Sequence, residues 1–517
     1  KPMTHSDRRI YLFDTTLRDG AQTAGISLNA HDKALIAKAL DDFGIDYIEG
    51  GWPGANQIDD HFFSNPPNFN HSRFTAFGMT KKAGRSAEND PALNAVLNSQ
   101  AEAFCLVGKS WILHVKDVLG ISLEENLENI YESLRLANTK GEALFDAEHF
   151  FDGYKENPEY SLQCLKQAEE AGARWIVLCD TNGGTLPHEI YDIVSHVRKH
   201  IAPEKLGIHA HNDTEQAVAN SIAAVRAGCH MVQGTLNGLG ERCGNANLIS
   251  LMPTLSLKMG FDIGIPDERL EELRPLSLRL DEIINELPNP FAAYVGARAF
   301  AHKGGLHVSA INKIAHSYEH IDPSAVGNER VIVVSDQAGR SNIVARFEKI
   351  GLDLDPDDPF VKTVVDLIKE REYKGYAYDT AEASFEVMVC HKLNKIPAFF
   401  NFVNFSVTDE RRAGRSGDKD QDEEKIQRQE AKATVKIKIN NNTVHTAADG
   451  IGPVNALEKA FSKALIPSYP NIADVTLVDY RVSILNSNAA TEANVRVLIE
   501  SSLKSDPSVK WRTVGVS

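Results

Sequence analysis

The sequence predicts an α/β protein: a (β/α)8 TIM barrel, then a mainly helical linker region, then a small α+β C-terminal domain. Three observations predict it. Short apolar runs alternate with amphipathic stretches about eight times in roughly 250 residues, the count of a closed parallel barrel. The runs end in chemistry-bearing polar residues, as barrel strands do at their C-terminal rim. Beyond a charged stretch at 411–430, the pattern switches to period-two alternation.

The expected strands, in order, are IYLFDTT (10–16), DYIEGG (46–51), RFTAFGM (73–79) and AFCLVGK (103–109). EALFDAE (142–148), RWIVLCDT (174–181), LGIHAHND (206–213) and HMVQGTLNG (230–238) complete the set. Between them lie helical spacings, each stopped by glycine. They include LNAHDKALIAKALDDFG (28–44), PEYSLQCLKQAEEAG (158–172) and TEQAVANSIAAVRAG (214–228). An open doubly wound sheet is disfavoured, because LRDGAQ after the first strand is not the GxGxxG turn of a dinucleotide fold.

The expected boundaries are 8–275 for the barrel, 276–410 for helical linker subdomains that complete the site, 411–430 for a flexible linker and 431–517 for the α+β domain. The stretch RRAGRSGDKDQDEEKIQRQE (411–430) has no apolar periodicity, hence its assignment as linker. After it, ATVKIKI and TVHTAA flank an asparagine pair, a hairpin signal, and GPVNALEKAFSKAL follows as a helix.

Composition narrows the function. Against 55 Lys and Arg stand 71 Asp and Glu, a net charge of −16, which excludes a nucleic-acid or anionic-membrane partner but not a small anionic substrate. The six cysteines form no CxxC pair, so they read as reduced, mostly core-packed thiols of an intracellular protein. The expected compartment is the cytoplasm, or an organelle matrix if a targeting segment has been removed. No apolar run approaches the roughly 18 residues of a membrane span.

The strand ends carry the candidate chemistry. The first offers Asp14, Arg18 and Asp19, the second Glu49, and the fifth Asp146, Glu148 and His149. The sixth offers Asp180, Thr181 and Asn182, and the seventh His209, His211, Asn212 and Asp213. Glu241, Arg242 and Asn245 follow the eighth. His209 and His211 alternate on a strand and so share a face. With a carboxylate from strand one they make a mixed N/O set for Mn²⁺, Zn²⁺, Co²⁺ or Mg²⁺. Spacing alone leaves Asp14 and Asp19 as rivals for that carboxylate. Arg18 beside such a centre suits a developing oxyanion, or else a salt bridge to Glu148 or another rim carboxylate. Thr181 suits a donor to a substrate carboxylate, or a local backbone cap. Glu49 and His302 join it as candidate substrate contacts, and His302 and His307 are also candidate acid/base groups. The glycine-rich GGWPGAN (50–56) and AHKGGLHVSA (301–310) lack P-loop spacing and earn no phosphate role. Phe77, Met79, Val107 and Phe145 are expected to form an apolar pocket wall, which disfavours a substrate with a second carboxylate.

Taken together, FDTTLRDGAQ, IEGGWPGAN, FDAEHFFDG, CDTNGG, GIHAHND and NGLGERCGNAN resemble the metal-dependent acyltransferases that condense acetyl-CoA with a 2-oxo acid. That family comprises the isopropylmalate, homocitrate and citramalate synthases, and the resemblance runs nearly end to end. VGKSWILHV (107–115), NPFAAYVGARAFAHKGGLHVSAI (289–311) and YEHIDPSAVGNER (318–330) bring the chain nearest the citramalate branch, whose oxo acid is pyruvate. The resemblance implies Asp19 rather than Asp14 as the carboxylate ligand, with His209, His211 and Asn245 completing the metal set. It implies Arg18 and Glu148 as catalytic residues and Thr181 as the contact to the oxo-acid carboxylate. It implies that His307 and Tyr318 complete the site from a region exchanged between subunits, hence a homodimer. HTAADGIGPVNALEKA resembles the family's regulatory module, which implies an amino-acid effector. ILNSNAATEAN (484–494) lacks the glycine-containing turn expected there, which weighs against a branched-chain effector such as isoleucine. A carbon–carbon lyase on the same barrel is the lesser alternative, since it needs no appended domain.

Overall fold

A computed structural model describes residues 8–302, 314, 317–332, 343–344, 346–348, 350–355, 357–378, 381–410, 430–485 and 494–517. They fall into two compact units, 1–334 and 335–517.

In the first unit eight strands close a barrel in chain order. They are β1 (Tyr11–Asp14), β2 (Tyr47–Gly51), β3 (Arg73–Met79), β4 (Ala103–Lys109), β5 (Glu142–Glu148), β6 (Trp175–Asp180), β7 (Leu206–Ala210) and β8 (Met231–Gly234). All neighbours pair in parallel, and β8 closes on β1 through Tyr11↔Met231 to Asp14↔Gly234. Strands β3, β4 and β5 coincide with the expected runs. Strands β1, β7 and β8 stop earlier, because the tails TT, HND and TLNG turn into the loops of the rim.

Alternation decides what each strand contributes. Tyr11, Phe13, Tyr47, Cys105, Leu144, Trp175, Val177 and Met231 form one buried cluster inside the barrel, where the Trp175 indole N–H donates to the Tyr47 hydroxyl at 3.1 Å. This plug fills the floor of the barrel, whose open end is the C-terminal rim. The other register, including Ile48, Phe74, Leu106, Phe145, Ile176, Ile208 and Val232, packs outward against the surrounding helices. Phe145 is therefore not a pocket wall, correcting the expectation: its neighbours Leu144 and Asp146 face inward and it cannot. Met79 is also a poor wall, being exposed at the strand end.

Among the described residues of 276–410, helices cover Leu273–Ile284, Pro359–Tyr373 and Glu382–Lys392. The stretch 285–332 departs from the helical expectation. Its described residues form turns, a short 3-10 helix (Pro323–Val326) and a two-residue parallel pair, β9 (Ala301–His302) with β10 (Val331–Ile332), and Pro288 and Pro290 interrupt any longer helix after Ile284. The expected boundary at 410 also shifts. NFVNFSVTDE forms β11 (Asn401–Glu410), which pairs antiparallel with β12 (Glu430–Ile439) and so belongs to the C-terminal sheet. Residues 411–429, read as linker, lie outside the described residues.

The hairpin of β12 and β13 (Asn442–Gly450) turns on Asn440 and Asn441, with φ of 48° and 67°. Positive φ at both centres of a two-residue loop is the turn that matches strand twist, and asparagine tolerates it. The helix Pro453–Leu465 lays Ala456, Ala460 and Ala464 on Ala431, Ala433, Val435 and Ile437. A second antiparallel sheet joins β14 (Val475–Ile484), β15 (Val495–Leu503) and β16 (Lys510–Val516). The turn between β14 and β15 lies, at 486–493, outside the described residues. Four of the six cysteines are buried, Cys243 is exposed and none is paired. No helix among the described residues is long and apolar enough to cross a membrane.

One buried carboxylate gives a stability prediction. Asp281, on the helix Leu273–Ile284, accepts the Asn237 side-chain N–H at 2.9 Å and so braces the loop after β8. Burial pushes its carboxyl up to about 6, against the opposing Asn237 hydrogen bond. The folded state then binds this proton more tightly than the unfolded chain, so stability declines as pH rises from about 4 to about 6 and stays reduced above. Asp281→Asn keeps the acceptor and removes the charge. It is expected to stabilise the first unit by roughly 2–3 kcal/mol at pH 7.5, shrinking to about 1 kcal/mol near pH 4.5. Urea unfolding at the two pH values checks it; an equal shift at both refutes the electrostatic origin.

Candidate metal and active site

The rim assembles from three stretches of backbone. After β1 the chain turns sharply: the Asp19 N–H donates to the Thr15 carbonyl at 2.9 Å, which carries Asp19 back over the barrel mouth. After β7 the His211 N–H still donates to the Asp180 carbonyl at 3.3 Å, so His211 keeps the inward register of His209 although the strand has ended. After β8 the loop NGLGERCGN folds back, and Asn245 pairs beside His211 as an antiparallel bridge. Glycine is required there. At Gly240, with φ of 156°, a Cβ would stand 2.2 Å from the Asn245 amide, and at Gly244 2.0 Å from the Gly238 carbonyl oxygen.

These turns bring three ligand-type atoms together. His209 Nε2 lies 3.2 Å from Asp19 Oδ2, His211 Nε2 lies 3.8 Å from the same oxygen, and the two Nε2 atoms are 3.2 Å apart. All three side chains are buried, and they are the metal-capable His/Cys/Asp/Glu cluster found among the described residues. Asn245 donates its amide N–H to the Leu239 carbonyl at 3.0 Å, while its Oδ1 is buried without a partner. The Nδ1 of His211 is likewise buried and unpartnered. Two imidazole nitrogens, a carboxylate oxygen and an orphaned amide oxygen fit a divalent cation.

The electrostatics agree with that donor set. Burial works against the Asp19 anion, but Arg18, His209 and His211 outweigh it and hold the carboxyl well below its usual range. Burial also works against a His209 cation, yet the Asp19 hydrogen bond and charge raise its pKa, while burial and the His209 charge depress His211. Asp14 has no part in this. It accepts from the Thr16 N–H and hydroxyl at 2.9 and 2.8 Å, and burial lifts it to about 7. Register separates the two: β1 turns Asp14 outward, and its loop brings Asp19 beside His209 and His211.

Arg18 is anchored from three sides. Its Nε donates to Glu49 Oε1 at 2.7 Å, its Nη1 lies 3.5 Å from Asp19, and its guanidinium carbon sits 3.9 Å over the Phe77 ring. The Thr15 hydroxyl donates to the same Glu49 oxygen at 2.7 Å. Glu49, expected as a substrate contact, is fully buried and instead holds Arg18. The expectation of a salt bridge from Arg18 to Glu148 or another rim carboxylate is met by Glu49, while Glu148 forms its ion pair with Lys109, one strand away on β4. Sequence reading left open which rim carboxylate holds Arg18, and missed the Glu148–Lys109 pair and the ring beneath Arg18. Their only trace was polar or aromatic residues on the inward register of strands otherwise filled with apolar side chains.

Thr181 Oγ1 accepts the His149 N–H at 2.8 Å, so its hydroxyl proton points elsewhere. His302 hydrogen-bonds Glu319 at 3.1 Å, and Arg330 grips the same carboxylate with two contacts of 2.6 Å, giving His302 a partner within its own segment. Tyr318 is half exposed. His307 lies outside the described residues.

Comparison with known proteins follows the same division. The HMGL-like family model matches residues 9–270, the homocitrate synthase post-HMGL domain-like model 294–375, and the LeuA allosteric (dimerisation) domain model 379–517. The chain is 48% identical to the (R)-citramalate synthase of Aquifex aeolicus, over 98% of this chain and 94% of that protein. It is 47% identical to the (R)-citramalate synthase of Geobacter sulfurreducens, with the same coverage of 98% and 94%. To the probable 2-isopropylmalate synthase of Methanopyrus kandleri it is 31% identical, over 95% and 92%.

Proposed function

The chain belongs to the (R)-citramalate synthase family, and from that premise we propose that it is an acyltransferase condensing acetyl-CoA with pyruvate and water to give (R)-citramalate and CoA, in branched-chain amino acid (isoleucine) biosynthesis. The observation that carries the reading to this site is the convergence of Asp19, His209 and His211 beside an anchored Arg18 at the barrel mouth. Asp19, His209, His211 and Asn245 would hold the metal; two imidazoles favour Mn²⁺, Zn²⁺ or Co²⁺ over oxygen-seeking Mg²⁺. When bound, such an ion supplies Lewis-acid polarisation of the 2-keto group.

The residues then divide the work. The Thr181 hydroxyl, its oxygen already occupied by the His149 N–H, donates to the pyruvate carboxylate. A base takes a proton from the acetyl-CoA methyl group, a role we give to His307 or a water it orients, with Tyr318 alongside. The resulting enolate carbon bonds to the keto carbon, and the keto oxygen becomes an alkoxide. Arg18 faces that charge with the N–H groups that Glu49 leaves free, already oriented and in a water-poor setting. Glu148, paired with Lys109, sits on the same rim and orders the polar side of the cavity. Water then cleaves the thioester and releases the CoA thiol. The Phe77 ring under Arg18, itself edged by Trp52 at 5.3 Å, adds bulk to the wall and supports a methyl-bearing oxo acid over a branched one. The match of 379–517 to a LeuA allosteric (dimerisation) domain supports a homodimer with an amino-acid effector site. The unpaired, mostly buried cysteines suit the cytoplasm.

Acetyl-CoA-dependent thiol release tests this against pyruvate, 2-oxobutyrate, 2-oxoisovalerate and 2-oxoglutarate, with and without chelator. Chelator-sensitive turnover is expected to be strongest with pyruvate and to return on adding Mn²⁺. Preference for 2-oxoisovalerate moves the protein to the isopropylmalate branch, and for 2-oxoglutarate to the homocitrate branch. No thiol release with any oxo acid overturns the condensation.

A further inference from the structure

The two histidines of the cluster are not equivalent. His211 Nδ1 has no partner, whereas His209 Nδ1 lies 2.7 Å from Gln233 Oε1. The other end of the same amide, Gln233 Nε2, lies 3.1 Å from Asp146 Oδ1. Asp146, Gln233 and His209 come from β5, β8 and β7 and all three are buried, at 3%, 1% and 4% exposure.

From this geometry we infer that Asp146 and Gln233 are positioning residues that lock the tautomer of His209, a reading that rests on the metal site proposed above. A primary amide has one donor end and one acceptor end. The Asp146 carboxylate accepts only from the NH2 end, which forces the Gln233 carbonyl toward His209. That carbonyl accepts only from Nδ1–H, which leaves the lone pair of the neutral ring on Nε2, the atom that faces Asp19 and His211. A carboxylate on β5 thereby determines, through an amide on β8, which nitrogen of His209 is available to a cation. If the amide turned over, Nε2 would carry the proton and point it into the metal site. Histidine ligands held through their second nitrogen bind more tightly and in one orientation. Here the holder is relayed through a neutral amide, which brings no second anion beside Asp19.

The test uses the full-length protein stripped of metal and titrated with CoCl2 alone, reading the dissociation constant and the visible d–d band. Gln233→Leu deletes the relay and is expected to weaken Co²⁺ binding about 10- to 100-fold. Asp146→Asn keeps the shape but lets the amide adopt either orientation. It is expected to weaken binding by a smaller factor, about 3- to 10-fold, since a 50:50 mixture alone costs a factor of about two and loss of the orienting charge adds the rest. Gln233→Glu, whose carboxylate still accepts from Nδ1–H while sharing one proton with Asp146, is expected to restore binding to within a few-fold. Urea midpoints of the metal-free proteins identify a variant that fails to fold. A folded Gln233→Leu or Asp146→Asn protein that binds Co²⁺ as the parent does, with an unchanged band, overturns the inference. So does a Gln233→Glu protein that binds no better than Gln233→Leu. If the parent itself binds no Co²⁺, the metal site has failed rather than the relay. The relay is then read from the ring ¹⁵N shifts of His209 in the neutral state, where loss of the Nδ1–H form on Gln233→Leu supports it and no change overturns it.

Discussion

Asp19→Asn is expected to abolish chelator-sensitive thiol release, lowering kcat by at least about 10³-fold, with Co²⁺ binding lost in parallel. The side chain is isosteric, so the loss isolates charge from shape. Asp19 is the only anion within 4 Å of both Nε2 atoms among the described residues, and it faces them from 3.2 and 3.8 Å. Removing it leaves two imidazoles 3.2 Å apart and an amide in a buried pocket beside Arg18, an environment hostile to a divalent cation. Several kcal/mol of Lewis-acid stabilisation then disappear, and each 1.36 kcal/mol is tenfold in rate. Arg18 keeps Glu49 as its partner, so the fold survives the loss of a stabilising charge, and a cooperative urea transition for the metal-free protein, at a lowered midpoint, checks that. Turnover within tenfold of the parent, in metal-supplemented buffer, would remove Asp19 from the ligand set.

Arg18→Lys is expected to lower kcat by about 10²- to 10³-fold while leaving Co²⁺ affinity within a few-fold. The charge is conserved and the fork is not. Arg18 uses Nε for Glu49 and sits over the Phe77 ring at 3.9 Å, which leaves its terminal nitrogens free of Glu49, with Nη1 3.5 Å from Asp19. A lysine ammonium cannot hold Glu49 in that way and still present oriented donors to an alkoxide. The split between an intact metal site and failed turnover separates the two residues, although they are neighbours in sequence. A Lys variant with kcat near that of the parent would show that charge alone suffices, and Arg18 would then act only as a counter-ion.

How much of this was legible differs from residue to residue. His209 and His211 were readable as a pair because strand geometry puts alternate residues on one face, and their separation is local. Asn245 and Asp19 were readable only with the family motifs, since loops follow no period that spacing can extend. The choice between Asp14 and Asp19 is a case in point. Both lie within a few residues, and only the turn at Thr15 shows which one reaches His209 and His211.

The sequence by itself determined the barrel, its strand order, the location of the chemistry at the strand ends and the asparagine hairpin of the C-terminal sheet. Each of these follows from short-range periodicity and turn chemistry, which need no knowledge of distant neighbours. Only the tertiary structure decided who holds whom. Glu49 reaches Arg18 across 31 residues, Gln233 reaches His209 across 24, and Asp146 reaches Gln233 across 87. Glu148 turned out to pair with Lys109, and Phe145 to face the helices. The physical reason is closure: a barrel brings inward residues of different strands together according to stagger and side-chain length, and neither is written in the local pattern of any one strand.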